Sequence, residues 1–158
     1  MIIDNSLIDN LFSEAEKNPR LRQNLDMRTS PEDGSQRMLN ALLPGTRVQI
    51  HRHPLSSETV ILLRGRLDEV IYEEVPAPDD NSPEQTPDDA DSQECKQSES
   101  NERKTMLREV ARYRLSPADG LHGCQVPKGA WHTVEVLEPS VIFEAKDIAY
   151  GSDGSEIY

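Results

Sequence analysis

The sequence predicts an all-β fold, a small jelly-roll barrel carrying one N-terminal helix and a long acidic flexible loop. Two observations point there. From Gln36 onward, short apolar-polar runs follow one another between Pro and Gly breaks, about eight of them and without internal repeats. Before them lies a single segment of helical periodicity, and between them a low-complexity stretch with almost no apolar content.

Leu7, Ile8, Leu11, Phe12 and Ala15 recur at helical spacing, while Glu14 and Glu16 leave the other face polar. Asn5 and Ser6 can cap this helix, which runs to about Lys17, and Asn18-Pro19 ends it. Arg20 to Gly34 reads as an irregular charged arm, either crossing a pocket mouth or serving as a solvated connection. Residues 1–35 are thus a helix and arm, and 36–150 a single barrel. Its strands are Gln36–Leu43, Thr46–His53, Thr59–Arg64, Arg66–Glu74, Lys104–Leu115, Gly123–Val126, His132–Leu137 and Val141–Asp147. Residues 75–103 form a disordered acidic insert, too polar to offset the entropy of ordering. Gly151 to Tyr158 reads as a loose tail.

The net charge of −12 is concentrated, since Val75 to Glu102 holds nine acidic residues against one lysine. That balance argues against a nucleic-acid partner. No basic leader and no long apolar run is present, so neither a signal peptide nor a membrane span is expected. The two cysteines, Cys95 and Cys124, make no disulfide framework, and a reducing cytoplasm fits. Cys124 reads as a small buried hydrophobe, and His122 as a surface residue.

The chemistry gathers in GTRVQIHRHPLSSETVILLRG, Gly45 to Gly65. On a strand, residues two apart share a face, so His51 and His53 project together. Pro54 to Ser57 can turn the chain back and bring Glu58 beside them at the start of the next strand. Two imidazoles and a carboxylate make a metal-site candidate, with His132 of VPKGAWH as fourth ligand. The donor set suits one divalent ion per chain, Zn, Fe, Mn or Ni, without choosing among them. Alternation also puts Arg47 and Gln49 on the histidine face, where they line the pocket unless Arg47 sits at the rim beside a surface carboxylate.

The spacing resembles the cupin superfamily. Gly45, five residues, His51-Arg-His53, four residues, Glu58, six residues and Gly65 match its first signature without a gap, and Pro127-Lys-Gly129-Ala-Trp-His132 matches the core of the second. More narrowly, HRHP and PKGAWHTVEVLEPSVIFEAKD resemble the WbuC family, small cupin metalloproteins often found with bacterial surface-polysaccharide genes. One departure is Val136, which stands where the second motif usually has a non-ligating Asn. The resemblance implies His51, His53, Glu58 and His132 as ligands with open coordination positions, a barrel that dimerises with a second copy, and a small polar substrate of sugar or sugar-nucleotide type.

Further pocket candidates follow from the last strand. Ile142, Glu144 and Lys146 share one face and Val141, Phe143 and Ala145 the other, so Glu144 and Lys146 either do acid/base work in the pocket or form a solvent-facing ion pair. Trp131 walls the pocket or packs in the core, and Tyr150 follows in the family-like FEAKDIAY. The functions in view are a metal-dependent isomerase- or epimerase-like enzyme, a non-catalytic metal-stabilised binding module, and an iron-dependent dioxygenase.

Overall fold

The computed structural model describes residues 1–78 and 105–158. Most of the acidic insert expected at 75–103, with Cys95, lies outside the described residues. The chain divides into two compact units, residues 1–73 with 109–158, and residues 74–108. In the smaller unit, the Thr105 hydroxyl faces Glu74 at 3.5 Å.

Helix α1 (Asn5–Lys17) starts one residue earlier than the capping pattern suggests, because the Asp4 side chain accepts the Leu7 N–H at 2.9 Å. The strands are β1 (Arg22–Asp26), β2 (Gln36–Leu42), β3 (His51–Arg52), β4 (Glu58–Pro76), β5 (Thr105–Leu115), β6 (Gly123–Val126), β7 (Trp131–Lys146) and β8 (Glu156–Ile157). Strand β7 is the hub. One edge pairs antiparallel with β4 from Glu58↔Lys146 to Tyr72↔Trp131. The other takes β2, from Gln36↔Lys146 to Leu42↔Ser140, and then β3 at His51↔His132.

This sheet is curled, with a jelly-roll interior, and it buries two apolar clusters. Val60, Leu62, Leu67, Ile71, Leu115, Val126 and Ile142 fill one side. On the other, Ile8, Leu11 and Ala15 of α1 cover Leu39, Ala41 and Val141. The alternation within Val141 to Lys146 therefore divides as its apolar half requires: Val141 and Phe143 face α1, and the intervening positions face inward.

Four elements differ from the sequence expectation. Arg22–Asp26 is not an irregular arm but a strand, paired in register with β2. Thr46–His53 is a strand only at His51–Arg52, because residues 46–50 have no ladder partner. The expected breaks at Gly65 and at Glu138-Pro139 do not end their strands; the chain passes through them as bulges, with register shifts between Leu62 and Leu67. Gly65 has φ +99°, and a Cβ there would collide with the Pro139 carbonyl and Ser140, so glycine permits the close approach of β4 to β7. Finally, the tail is ordered: β8 pairs with β3, and Asp153 is fully buried. Among the described residues no helix is long and apolar enough to cross a membrane.

Candidate metal centre and its cavity

The ladder brings the ligands together. His51 on β3 lies directly opposite His132 on β7, their ring centroids 4.2 Å apart. His53 follows at the end of β3, its ring 5.0 Å from that of His51 and 5.3 Å from that of His132. Its carbonyl accepts the Gly129 N–H at 3.0 Å, which ties the Pro127–Gly129 turn to the ligand segment. Glu58 opens β4, and its Oε2 lies 3.1 Å from His53 Nε2 and 3.3 Å from His132 Nε2. One ligand atom from each of the four residues falls within 4.8 Å of every other.

The second ring nitrogens explain why the Nε2 atoms converge. His51 Nδ1 is 2.9 Å from the Gln49 carbonyl, and His132 Nδ1 is 3.0 Å from the Ala130 carbonyl. A carbonyl can only accept, so both rings carry hydrogen on Nδ1, which turns each Nε2 inward. His53 Nδ1 lies 2.9 Å from Asp153 Oδ2 and from Ser155 Oγ. Carbonyl or carboxylate partners on the outer nitrogen are what a metal-ligating histidine requires. Burial and the neighbouring His132 push His51 down to about 4, so its imidazole is neutral at pH 7. Burial raises Glu58, but hydrogen bonds from His132 and His53 outweigh it and hold the carboxylate well below the usual range. Three imidazoles and one carboxylate fit a divalent transition ion.

The cluster opens onto a cavity of about 290 Å³. Glu144 and Lys146 line it, as does exposed Tyr150. Asn40 donates to Glu144 at 2.7 Å, yet burial and the Glu58 charge push the Glu144 carboxyl up to about 8. Lys146 is not free for proton transfer: its ammonium is buried, ion-paired to Asp153, and 3.1 Å from His53 Nδ1. Arg47 and Gln49 line a separate open groove with Tyr72 and Val136 instead, while Val48 reaches the cavity. Face alternation from His51 does not carry back through residues that pair with no strand. Trp131 is packed rather than lining the cavity, with the Arg52 guanidinium 4.4 Å above its ring and Tyr158 edge-on at 5.5 Å.

Arg20, Arg22 and Asn24 line the cavity, the pocket-mouth alternative that the arm's sequence offered. Two participants escaped the sequence reading. Asp153 anchors His53 and Lys146 from the tail. Glu69 also lines the cavity, 1% exposed, with neither carboxylate oxygen partnered among the described residues. Burial and the charges of Glu58 and Glu144 push its carboxyl well above the usual range.

A family model described as a domain of unknown function, DUF6016, matches residues 3–80, which include α1, β1 to β4 and three of the four ligands. No curated protein matches the chain. Among solved structures, the capsular polysaccharide assembling protein CapF from Staphylococcus aureus is 15% identical at TM-score 0.50, over 89% of this chain and 32% of that one. A cupin 2 domain-containing protein from Halorhodospira halophila is 17% identical at TM-score 0.49, over 87% of this chain and 68% of that one. Oxalate oxidase in complex with the substrate analogue glycolate is 15% identical at TM-score 0.48, over 89% and 56%. The fold, from its strand pairing, is a jelly roll. At such identities the likeness extends to the fold alone, and this chain spans less than two thirds of the CapF and oxalate oxidase chains.

Proposed function

We propose that this chain is a metal-dependent enzyme acting on a small polar, sugar-like molecule, as its resemblance to WbuC cupins implies. The observation that carries the reading is the convergence of three Nε2 atoms and Glu58 on one point, with each outer ring nitrogen engaged and a polar cavity opening from the cluster. His51, His53, Glu58 and His132 would hold one divalent ion, which supplies a Lewis acid for a coordinated substrate oxygen. Glu144 acts from the cavity wall. With its carboxyl at about 8 it carries a proton at neutral pH, and it can pass that proton to a substrate oxygen or take one back. Lys146 and Asp153 hold the His53 ring in place rather than react.

The sequestration of Lys146 favours a second reading, a metal-stabilised binding module without turnover, because it leaves Glu144 as the one group of the predicted pair open to substrate. Elemental analysis of protein purified without added metal or chelating tags tests both. About one transition ion per chain is expected, and none after reconstitution would overturn the metal reading. Turnover of aldose or ketose substrates by loaded protein, lost in Glu144→Gln with metal content unchanged, separates the enzyme from the binding module. Stoichiometric iron would direct the assay to oxygen consumption.

A further inference from the structure

The cavity is polar at both ends, and the two ends carry different groups. Its floor holds the ligand cluster and Glu69, whose buried carboxyl has no partner among the described residues. Its outer part holds Arg20, exposed, and Arg22, half-buried, beside Asn18 and Asn24. Among the described residues neither guanidinium has a carboxylate partner. That is unusual in this chain: Arg28, Arg37, Arg64 and Arg66 each pair with an acidic side chain, and Arg112 and Arg114 share Asp68. In a protein of net charge −12, two arginines left unpaired at one cavity are available for an anion from outside.

The backbone holds them there. Between the two arginines Leu21 has φ +54°, a left-handed conformation that a leucine adopts only when its surroundings enforce it. The Leu21 carbonyl accepts the Leu43 N–H at 3.0 Å and the Thr46 hydroxyl at 2.6 Å, and its own N–H donates to the Asn18 carbonyl at 2.8 Å. Past this turn, β1 registers Arg22 opposite Leu42 and Asn24 opposite Asn40, both of which line the cavity, while Leu25 belongs to the cluster under α1. The face of β1 that carries Arg22 is thus the cavity face.

We propose that the cavity takes a substrate with a carboxylate or phosphate at one end and hydroxyl groups at the other, the anion held by Arg20 and Arg22 and the hydroxyl end by Glu69. The orientation follows from where these groups sit. Arg20 and Arg22 stand at the outer end, while Glu69 and Glu144 line the floor, where a carboxyl and a hydroxyl can each donate and accept. Arginine forks match the oxygen geometry of either anion. This inference rests on the cavity being the substrate site of the function proposed above.

Calorimetric titration of the full chain with gluconate, glucose 6-phosphate and glucose tests it. At least one charged probe should bind about tenfold tighter than glucose, the gain expected of one charge-assisted contact. The ratio between the two charged probes tells carboxylate from phosphate. In the R20Q/R22Q double variant the preference should fall to within about twofold, whereas R47Q, which removes an arginine outside the cavity, should leave it intact. As a check without mutation, the wild-type preference should shrink between about 0.02 M and 0.5 M salt. Equal affinity for all three probes, a preference that survives in R20Q/R22Q, or no binding of any probe at millimolar concentration would overturn the proposal. Metal content is measured on the same samples. An arginine-dependent preference in a chain that binds no metal would sink the metal reading and leave this one standing; stoichiometric metal without the preference would do the reverse.

Discussion

Two walls of one cavity treat their carboxyl groups in opposite ways. Glu58 is as buried as the core, yet two imidazole nitrogens within 3.3 Å keep it ionised. Glu69 and Glu144 are on the same sheet, lack a cation at hydrogen-bond distance among the described residues, and are driven toward the neutral form by burial and by Glu58 itself. Burial alone therefore does not decide the charge of a side chain here; its partners do. The ligand wall is a set of satisfied groups arranged for a cation, and the carboxyl wall is a set of underused groups arranged for something that enters.

The largest effect should come from breaking the ligand wall. His51→Ala with His53→Ala is expected to abolish stoichiometric metal and with it the stabilisation that binding gives the native state, about 3 to 4 kcal/mol at metal concentrations of 100 to 1,000 times Kd. Elemental analysis and melting curves with and without chelator read both. Metal retained at one per chain in the double variant would break the comparison outright, since the two walls would then differ in nothing but pKa.

Next comes the support behind that wall. Asp153→Asn leaves the buried Lys146 ammonium without its counter-charge, and losing one partner of a buried pair typically destabilises by about 3 to 5 kcal/mol. It also removes the outer-shell carboxylate from His53, which should weaken metal affinity about 10- to 100-fold. Chelator competition measures the second effect separately from the melt. Unchanged affinity would mean that the tail holds the fold and not the ligand.

The carboxyl wall should reveal itself through pH. Glu69 and Glu144 have raised folded-state pKa values, so the folded state binds protons that the unfolded chain has already released. Their contribution is complete below the ordinary glutamate range and is lost as pH rises toward about 8 for Glu144. Metal-free protein should lose stability between about pH 5 and pH 8, by at most about 1.4 kcal/mol per pH unit for each proton. Urea melts of the E69Q/E144Q variant should show a flatter profile over the same window. The paired measurement isolates these two groups from the histidines. Identical slopes would remove the contrast between the walls.

The same contrast governs what was legible in the sequence. His51, His53 and Glu58 are local in the chain and carry a fixed spacing, so strand alternation and a short turn suffice to read them. Glu144 and Lys146 were legible as inward-facing because Val141 and Phe143 claim the opposite face for α1. Glu69 is harder. Both faces of Leu67 to Tyr72 mix polar and apolar residues, and only the register against Val134 and His132 of β7 assigns Glu69 to the interior beside Leu67 and Ile71. Arg47 and Gln49 went astray because alternation was extended into residues 46–50, which pair with no strand. Asp153 depended on β8 closing onto β3, a contact between the chain's end and residues about a hundred positions away, and an eight-residue polar tail gives no local sign of it. Pairings of that kind are set by the folded sheet rather than by the segment itself.

The smallest effect expected is a control remote from both walls. Asp4 caps α1, whose apolar face packs on the far side of the sheet from the cavity. Asp4→Ala should cost about 1 kcal/mol, read as a modest fall in melting temperature. Because α1 touches the sheet through Leu39, Ala41 and Val141 and not through the inward-facing residues, metal stoichiometry and the pH slope should stay at their wild-type values. A cap loss that also lowered metal affinity would mean that the helix braces the ligands through β2 and β7. The cavity's two walls would then be coupled through the core behind them, and their opposite charge states could no longer be treated as local matters.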